Sequence, residues 1–163
     1  MVRALIFFNL FFIFFYTLQA QTHKIGDTFG GGIVFSISSD GKHGLIVETI
    51  DQSKSCNFED ALIAIKDKNN HSEEGKKFDD WRMPKIDEML QLYINLRVKN
   101  KCSNLIKLCF DSDYYWSSSK YIYTDPDTGD LGYDYAWFLK FSNGEKDWTA
   151  MGNSVAVRAI REF

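Results

Sequence analysis

The chain lacks any run of basic residues. Its 19 Lys and Arg are dispersed among 22 Asp and Glu, for a formal net charge of -3 over 163 residues. Without a basic stripe, nucleic acid is not an expected partner. Histidine is scarce too. His23, His43 and His71 are scattered along polar stretches, which gives no support for a histidine-based metal site. The cysteines are Cys56, Cys102 and Cys109. An odd number leaves one thiol free or paired between chains. No Gly-x-Ser-x-Gly elbow occurs, so Ser117-Ser118-Ser119 lacks the setting of a hydrolase nucleophile. Hydrogen bonding at a sheet edge is its expected role. The triplet Gly30-Gly31-Gly32 leads into a strand-type run, whereas phosphate loops follow a strand and open a helix. It reads as close backbone approach where the first strand enters a sheet.

A long spanning segment is also missing. Ala4 to Leu18 is almost wholly apolar but falls short of the roughly 20 residues that cross a bilayer comfortably. Arg3 precedes it, and Leu18-Gln19-Ala20 follows with a small residue before Gln21. Residues 1–20 therefore read as a signal peptide cleaved after Ala20, and 21–163 as a single secreted domain. No Cys stands at the cleavage point, which argues against a lipid anchor. The expected location is extracellular or at the cell surface, with the periplasm as the other exported compartment. Loss of Arg3 takes the net charge from -3 to -4.

Aromatic residues, by contrast, are abundant at 16%. The stretch Asp79-Asp80-Trp81-Arg82-Met83-Pro84 is a hub. Trp81 needs a core and one partner for its indole N–H, and Pro84 biases Met83 to an extended conformation. Before it, Ile33–Ile37 and Gly44–Ile50 read as a hairpin across Ser38-Ser39-Asp40-Gly41. His43 sits at its turn side and is expected on the surface. Asn57 with Asp60 caps a helix expected from Phe58 to Lys68, with Phe58, Ala61, Leu62 and Ile65 on one face. Asn69 to Lys77 reads as a solvated loop. Ile86, Met89, Leu90, Tyr93 and Leu96 mark a second helical face after Pro84. From Tyr114 onward the pattern is β. Candidate strands are Tyr115–Ser119, Tyr135–Phe141, Lys146–Ala150 and a closing strand from Ser154 to Arg161, with an Asn143-Gly144 hairpin turn. The fold class is α+β, a mainly antiparallel sheet with two helices.

Several segments together resemble a known family. They include Gly31-Gly32-Ile33-Val34-Phe35, His43-Gly44-Leu45-Ile46, Asp80-Trp81-Arg82-Met83-Pro84, Tyr115-Trp116-Ser117-Ser118-Ser119, Ala136-Trp137 and Val157-Arg158-Ala159-Ile160-Arg161. In this order they resemble the C-terminal domain of the Legionella collagen-like protein, over nearly the whole mature chain. The resemblance implies a secreted or surface bacterial domain with a C-type-lectin-like fold, similar also to formylglycine-generating enzymes. Some relatives bind sulfated polysaccharides and act as adhesins. Two positions depart from the pattern. Lys85 stands where the family carries a Ser or Thr helix cap, and the stretch between Ser119 and Ala136 is long and acidic.

That stretch is the candidate ligand site. Tyr121, Tyr123 and Tyr133, with Tyr135 beside them, offer ring faces to sugars. Asp125, Asp127 and Asp130 offer acceptors for hydroxyls, and Trp148 is a possible neighbour across the sheet. The same three aspartates resemble part of a calcium loop, without the Gly and the distal Glu of a full EF-hand. No cofactor is expected, with calcium as the one alternative. Arg82, Arg158 and Arg161 are candidates to grip a ligand carboxylate or sulfate, with structural pairing to Asp79 or Asp80 as the alternative. Trp81, Trp116 and Trp137 read as core anchors. A Cys102–Cys109 disulfide is expected, with Cys56 to either as the alternative. The favoured function is a non-catalytic binding module for a glycan or another surface polymer. The alternatives are an enzyme on the formylglycine-generating scaffold and a structural component of a surface assembly.

Overall fold

The computed structural model describes residues 22–98 and 110–163. The expected cleavage point and the Cys102–Cys109 pairing lie outside them.

Two sheets and two helices make up the domain. The first sheet has the order β1-β2-β3-β9, built from Thr28–Phe29, Gly32–Ile37, Gly44–Glu48 and Ile160–Glu162. The second has the order β4-β8-β5-β6-β7, built from Ser53–Cys56, Val155–Val157, Tyr114–Thr124, Leu131–Lys140 and Glu145–Ala150. All pairings are antiparallel except β5 with β8, which is parallel at Tyr115 and Ala156. The α+β class therefore holds, with two sheets in place of one.

The closing strand expected over Ser154–Arg161 is broken. β8 belongs to one sheet and β9 to the other, and the chain changes sheet at Arg158-Ala159. Gln52 makes this switch. Its side-chain oxygen accepts the Ala159 N–H at 2.6 Å, while its own backbone N–H donates to the Val157 carbonyl. No local pattern in Val155–Ile160 announces that break, because both halves are buried.

Alternation along the strands divides the interior in two. Ile33, Phe35, Val47, Tyr115, Leu139 and Ala156 face one cluster, and Val34, Ile46, Trp116, Ala136, Val155 and Val157 face the other. Helix α2 (Ile86–Leu92) and the π-helical turn that continues it (Tyr93–Val98) cover the first with Met89, Leu92 and Leu96. Helix α1 (Phe58–Lys66) covers the second with Phe58, Ala61 and Ile65. Leu62, expected on that face, is exposed. Asn57 caps α1 as expected, its side chain accepting the Asp60 N–H at 2.9 Å.

The hub lies between the layers. Trp81 is buried and its indole donates to the Gly75 carbonyl at 2.9 Å. Arg82 bridges to Ile160 of β9. The stretch 69–77 is not simply a solvated loop. It holds two 3-10 turns, Lys68–Asn70 and Gly75–Lys77, and it buries His71 against Glu48. Gly32 confirms close approach, since a Cβ there would collide with the Val47 carbonyl.

Candidate functional site

The stretch Tyr121 to Tyr135, expected as a loop, is the outer half of the β5–β6 hairpin. Tyr121 pairs with Tyr135 and Tyr123 with Gly132, while Trp137 pairs with Trp148 of β7. Residues directly opposite each other share a sheet face. The same face carries Tyr115 opposite Leu139, and there it is covered by the cluster under α2. The helix stops short of the outer half. Its first residue, Ile86, donates its N–H to Ser119 Oγ at 3.1 Å, and Asp87 pairs with Lys146 at 3.0 Å. Beyond Ser119 and Lys146, among the described residues, the face is clothed by its own aromatic side chains.

These side chains form a ladder. Tyr121 stacks on Trp148 with centroids 4.6 Å apart and planes at 16°. Trp137 meets Tyr121 edge-on at 5.2 Å, and Tyr135 meets Trp148 edge-on at 5.3 Å. Tyr123 tilts against Tyr135 at 5.5 Å and Trp148 at 5.6 Å. Each such pair contributes about 0.5–1.5 kcal/mol beyond area burial, so the ladder stiffens itself. All five rings are half-buried. Among the described residues, the phenol groups of Tyr121, Tyr123 and Tyr135 and the indole N–H groups of Trp137 and Trp148 have no hydrogen-bond partner in the protein. None of these atoms is both buried and unpartnered, so all five polar tips meet solvent. The result is an apolar surface rimmed by neutral donors and acceptors.

The segment 36–161 matches the family model of the Lcl C-terminal domain. The chain belongs to the Lcl C-terminal domain family. The matched span begins inside β2, ends inside β9, and takes in both helices and the whole ladder. No curated protein matches the chain at a significant level.

Within this Lcl C-terminal domain the other sequence candidates fall apart from the ladder. Tyr133 is 60% exposed and makes no ring contact with the five. Asp125, Asp127 and Asp130 lie in the turn joining β5 to β6. Asp125 Oδ1 accepts the N–H groups of Asp127 at 2.8 Å and Thr128 at 3.0 Å, and those bonds hold its carboxyl below the ordinary range. Asp130 accepts the Thr128 hydroxyl at 2.9 Å. Among the described residues no group of three or more His, Cys, Asp or Glu side chains is placed to hold a metal ion.

Arg158 is no surface ligand residue. It is 3% exposed and its Nε donates to Asp51 Oδ1 at 2.6 Å, with Tyr115 donating to the other oxygen. Burial pushes the Asp51 carboxyl up while Arg158 pulls it down. Arg161 forks onto Asp80, as one alternative expected, and Arg82 forks onto Glu88 with a third bond to Glu162. The serine cluster is also structural. Ser117 donates to the Trp137 carbonyl, Ser118 to the Pro84 carbonyl, and Ser119 accepts from Ile86. Trp81 and Trp116 are buried anchors, but Trp137 is a rung of the ladder. Period-two aromatic spacing in Lys120–Thr124 and Tyr133–Trp137 is the signal that points to it.

Proposed function

We propose that this domain is an exported, non-catalytic binding module. Its ligand is a polysaccharide, and it acts as an adhesin-like contact with a surface polymer. The observation that carries the reading is the open aromatic ladder of β5, β6 and β7, with its five unpartnered polar tips. Sugar rings have apolar faces that stack on aromatic side chains, and their hydroxyls can reach the phenols and indoles at the rim. Each hydrogen bond is worth about 0.5–1.5 kcal/mol net and so supplies selectivity more than strength. The N-terminal segment supports export, and the reading invokes no cofactor. Replacing Tyr123 and Trp148 together by Ala, with Tyr133→Ala as a control, tests it on a glycan array alongside thermal melting. The double variant is expected to stay folded and lose retention, while the control keeps both. A folded double variant with full retention removes the proposal.

A further inference from the structure

Charge around the ladder says what kind of polymer it takes. Resting on the glycan-binding reading above, we infer that the ladder binds an uncharged polysaccharide and turns away polyanions.

The hairpin from Lys120 to Trp137 and strand β7 carry two cations, Lys120 and Lys146. Against them stand Asp125, Asp127, Asp130, Asp134, Glu145 and Asp147. This small region therefore holds a net charge of -4. Lys146 is tied to Asp87, so Lys120 is the only one of the two without an ion pair among the described residues. Asp134 and Asp147 immediately precede the ladder residues Tyr135 and Trp148. All of these charges but the half-buried Asp125 are exposed, so they act over a screening length of about 10 Å at 0.1 M salt, comparable with the width of three paired strands.

A sulfated or uronate chain needs cations in fork geometry to offset such a field. Among the described residues the arginine side chains are engaged elsewhere. Arg82, Arg158 and Arg161 each hold carboxylates of the fold itself. Among the described residues the cations that lie over rings do so at Tyr114, Phe110, Tyr115, Phe78 and Trp81, none of them in the ladder. What the ladder offers is stacking surface and five neutral hydrogen-bonding tips. A polymer of uncharged pyranoses matches both and loses nothing to the field.

Affinity electrophoresis of the purified protein tests this, with a neutral β-glucan and a galactomannan against heparin and polygalacturonate. A neutral polymer is expected to retard the protein equally at about 0.1 and about 1 M salt, over which the screening length shrinks from ~10 to ~3 Å. Trp148→Ala is expected to weaken that retardation up to about tenfold, the loss of one aromatic stacking contact. Asp134→Asn with Asp147→Asn leaves it unchanged and admits some binding of heparin. Tighter binding to heparin or polygalacturonate, falling steeply with salt and lost in Trp148→Ala, overturns the inference while leaving the glycan site standing. No retardation by any of the four polymers sinks both.

Discussion

Single side chains decide where this fold is vulnerable. Glu48 is fully buried, yet four donors converge on it and a ring nitrogen of His71 lies beside them. Its oxygens take the Thr49 N–H and hydroxyl and the Ser72 N–H and hydroxyl, and His71 Nδ1 lies 3.0 Å from one of them. His71 Nε2 sits 2.8 Å from the Ile65 carbonyl, which accepts only, so that nitrogen carries a proton. The pair ties β3 to the 69–77 stretch and to α1, and Gly75 has no room for a Cβ beside it. Glu48→Gln keeps the shape but removes the charge on which the donors converge. We expect a loss of about 3 kcal/mol, typical of a broken buried pair, read from urea unfolding. A cost under about 1 kcal/mol would show the charge to be dispensable. Glu88 makes a different prediction. Burial would raise its carboxyl, but hydrogen bonds from Arg82 and from the Lys85 N–H outweigh it and hold the group below its ordinary 4.5. A depressed folded pKa stabilises above the unfolded value, and that contribution fades as pH falls through the folded one. Glu88→Gln should therefore be less stable at neutral pH and lose less stability from about pH 5 to about pH 3. Parallel acid profiles for the two proteins would count against this.

Elements show which signals are local. Asn57 as a cap, the strand-type run Ile33–Ile37 and the Asn143-Gly144 turn act within a few residues, and each appears where the sequence places it. Features settled by distant partners were hidden. Helix α2 lacks a capping side chain at Lys85, and the remedy comes from 33 residues away, where Ser119 Oγ takes the Ile86 N–H. Glu88 completes the cap by accepting the Lys85 N–H at 2.7 Å. Ser119→Ala should cost about 1 kcal/mol, the usual worth of a cap, and speed amide exchange at Ile86 more than elsewhere in the helix. Uniform exchange along α2 would show that the serine is not its cap. The ladder was half legible. Tyrosines at alternate positions name a face, but no element among the described residues covers that face, so the apolar-polar contrast that marks a strand is absent. The acidic, Gly-containing turn between the strands then makes the whole hairpin read as a loop. Trp137 misled for a related reason, since residue type alone does not separate a core anchor from a self-packed surface ring.

For the molecule as a whole, charge and topology are arranged separately. Arginines hold the layers together from within, while carboxylates gather on the outer hairpin, so stability and the field at the ladder can be altered independently. The histidine at position 71 was legible only as polar sequence, because its burial depends on Glu48, 23 residues earlier. The sheet change at Arg158-Ala159 has a further consequence for how the domain is made. β3 meets β9 by pairing Leu45 with Glu162, and β4 meets β8 by pairing Ser53 with Val157. Each pairing spans more than a hundred positions, and both depend on the same short segment. Neither sheet is complete until that segment arrives, so the chain must close its longest loops before either layer rewards it. Such high contact order belongs to domains that fold in milliseconds to seconds, not microseconds. During synthesis the chain would remain a substrate for unfolded-chain handling machinery until its last strands emerge.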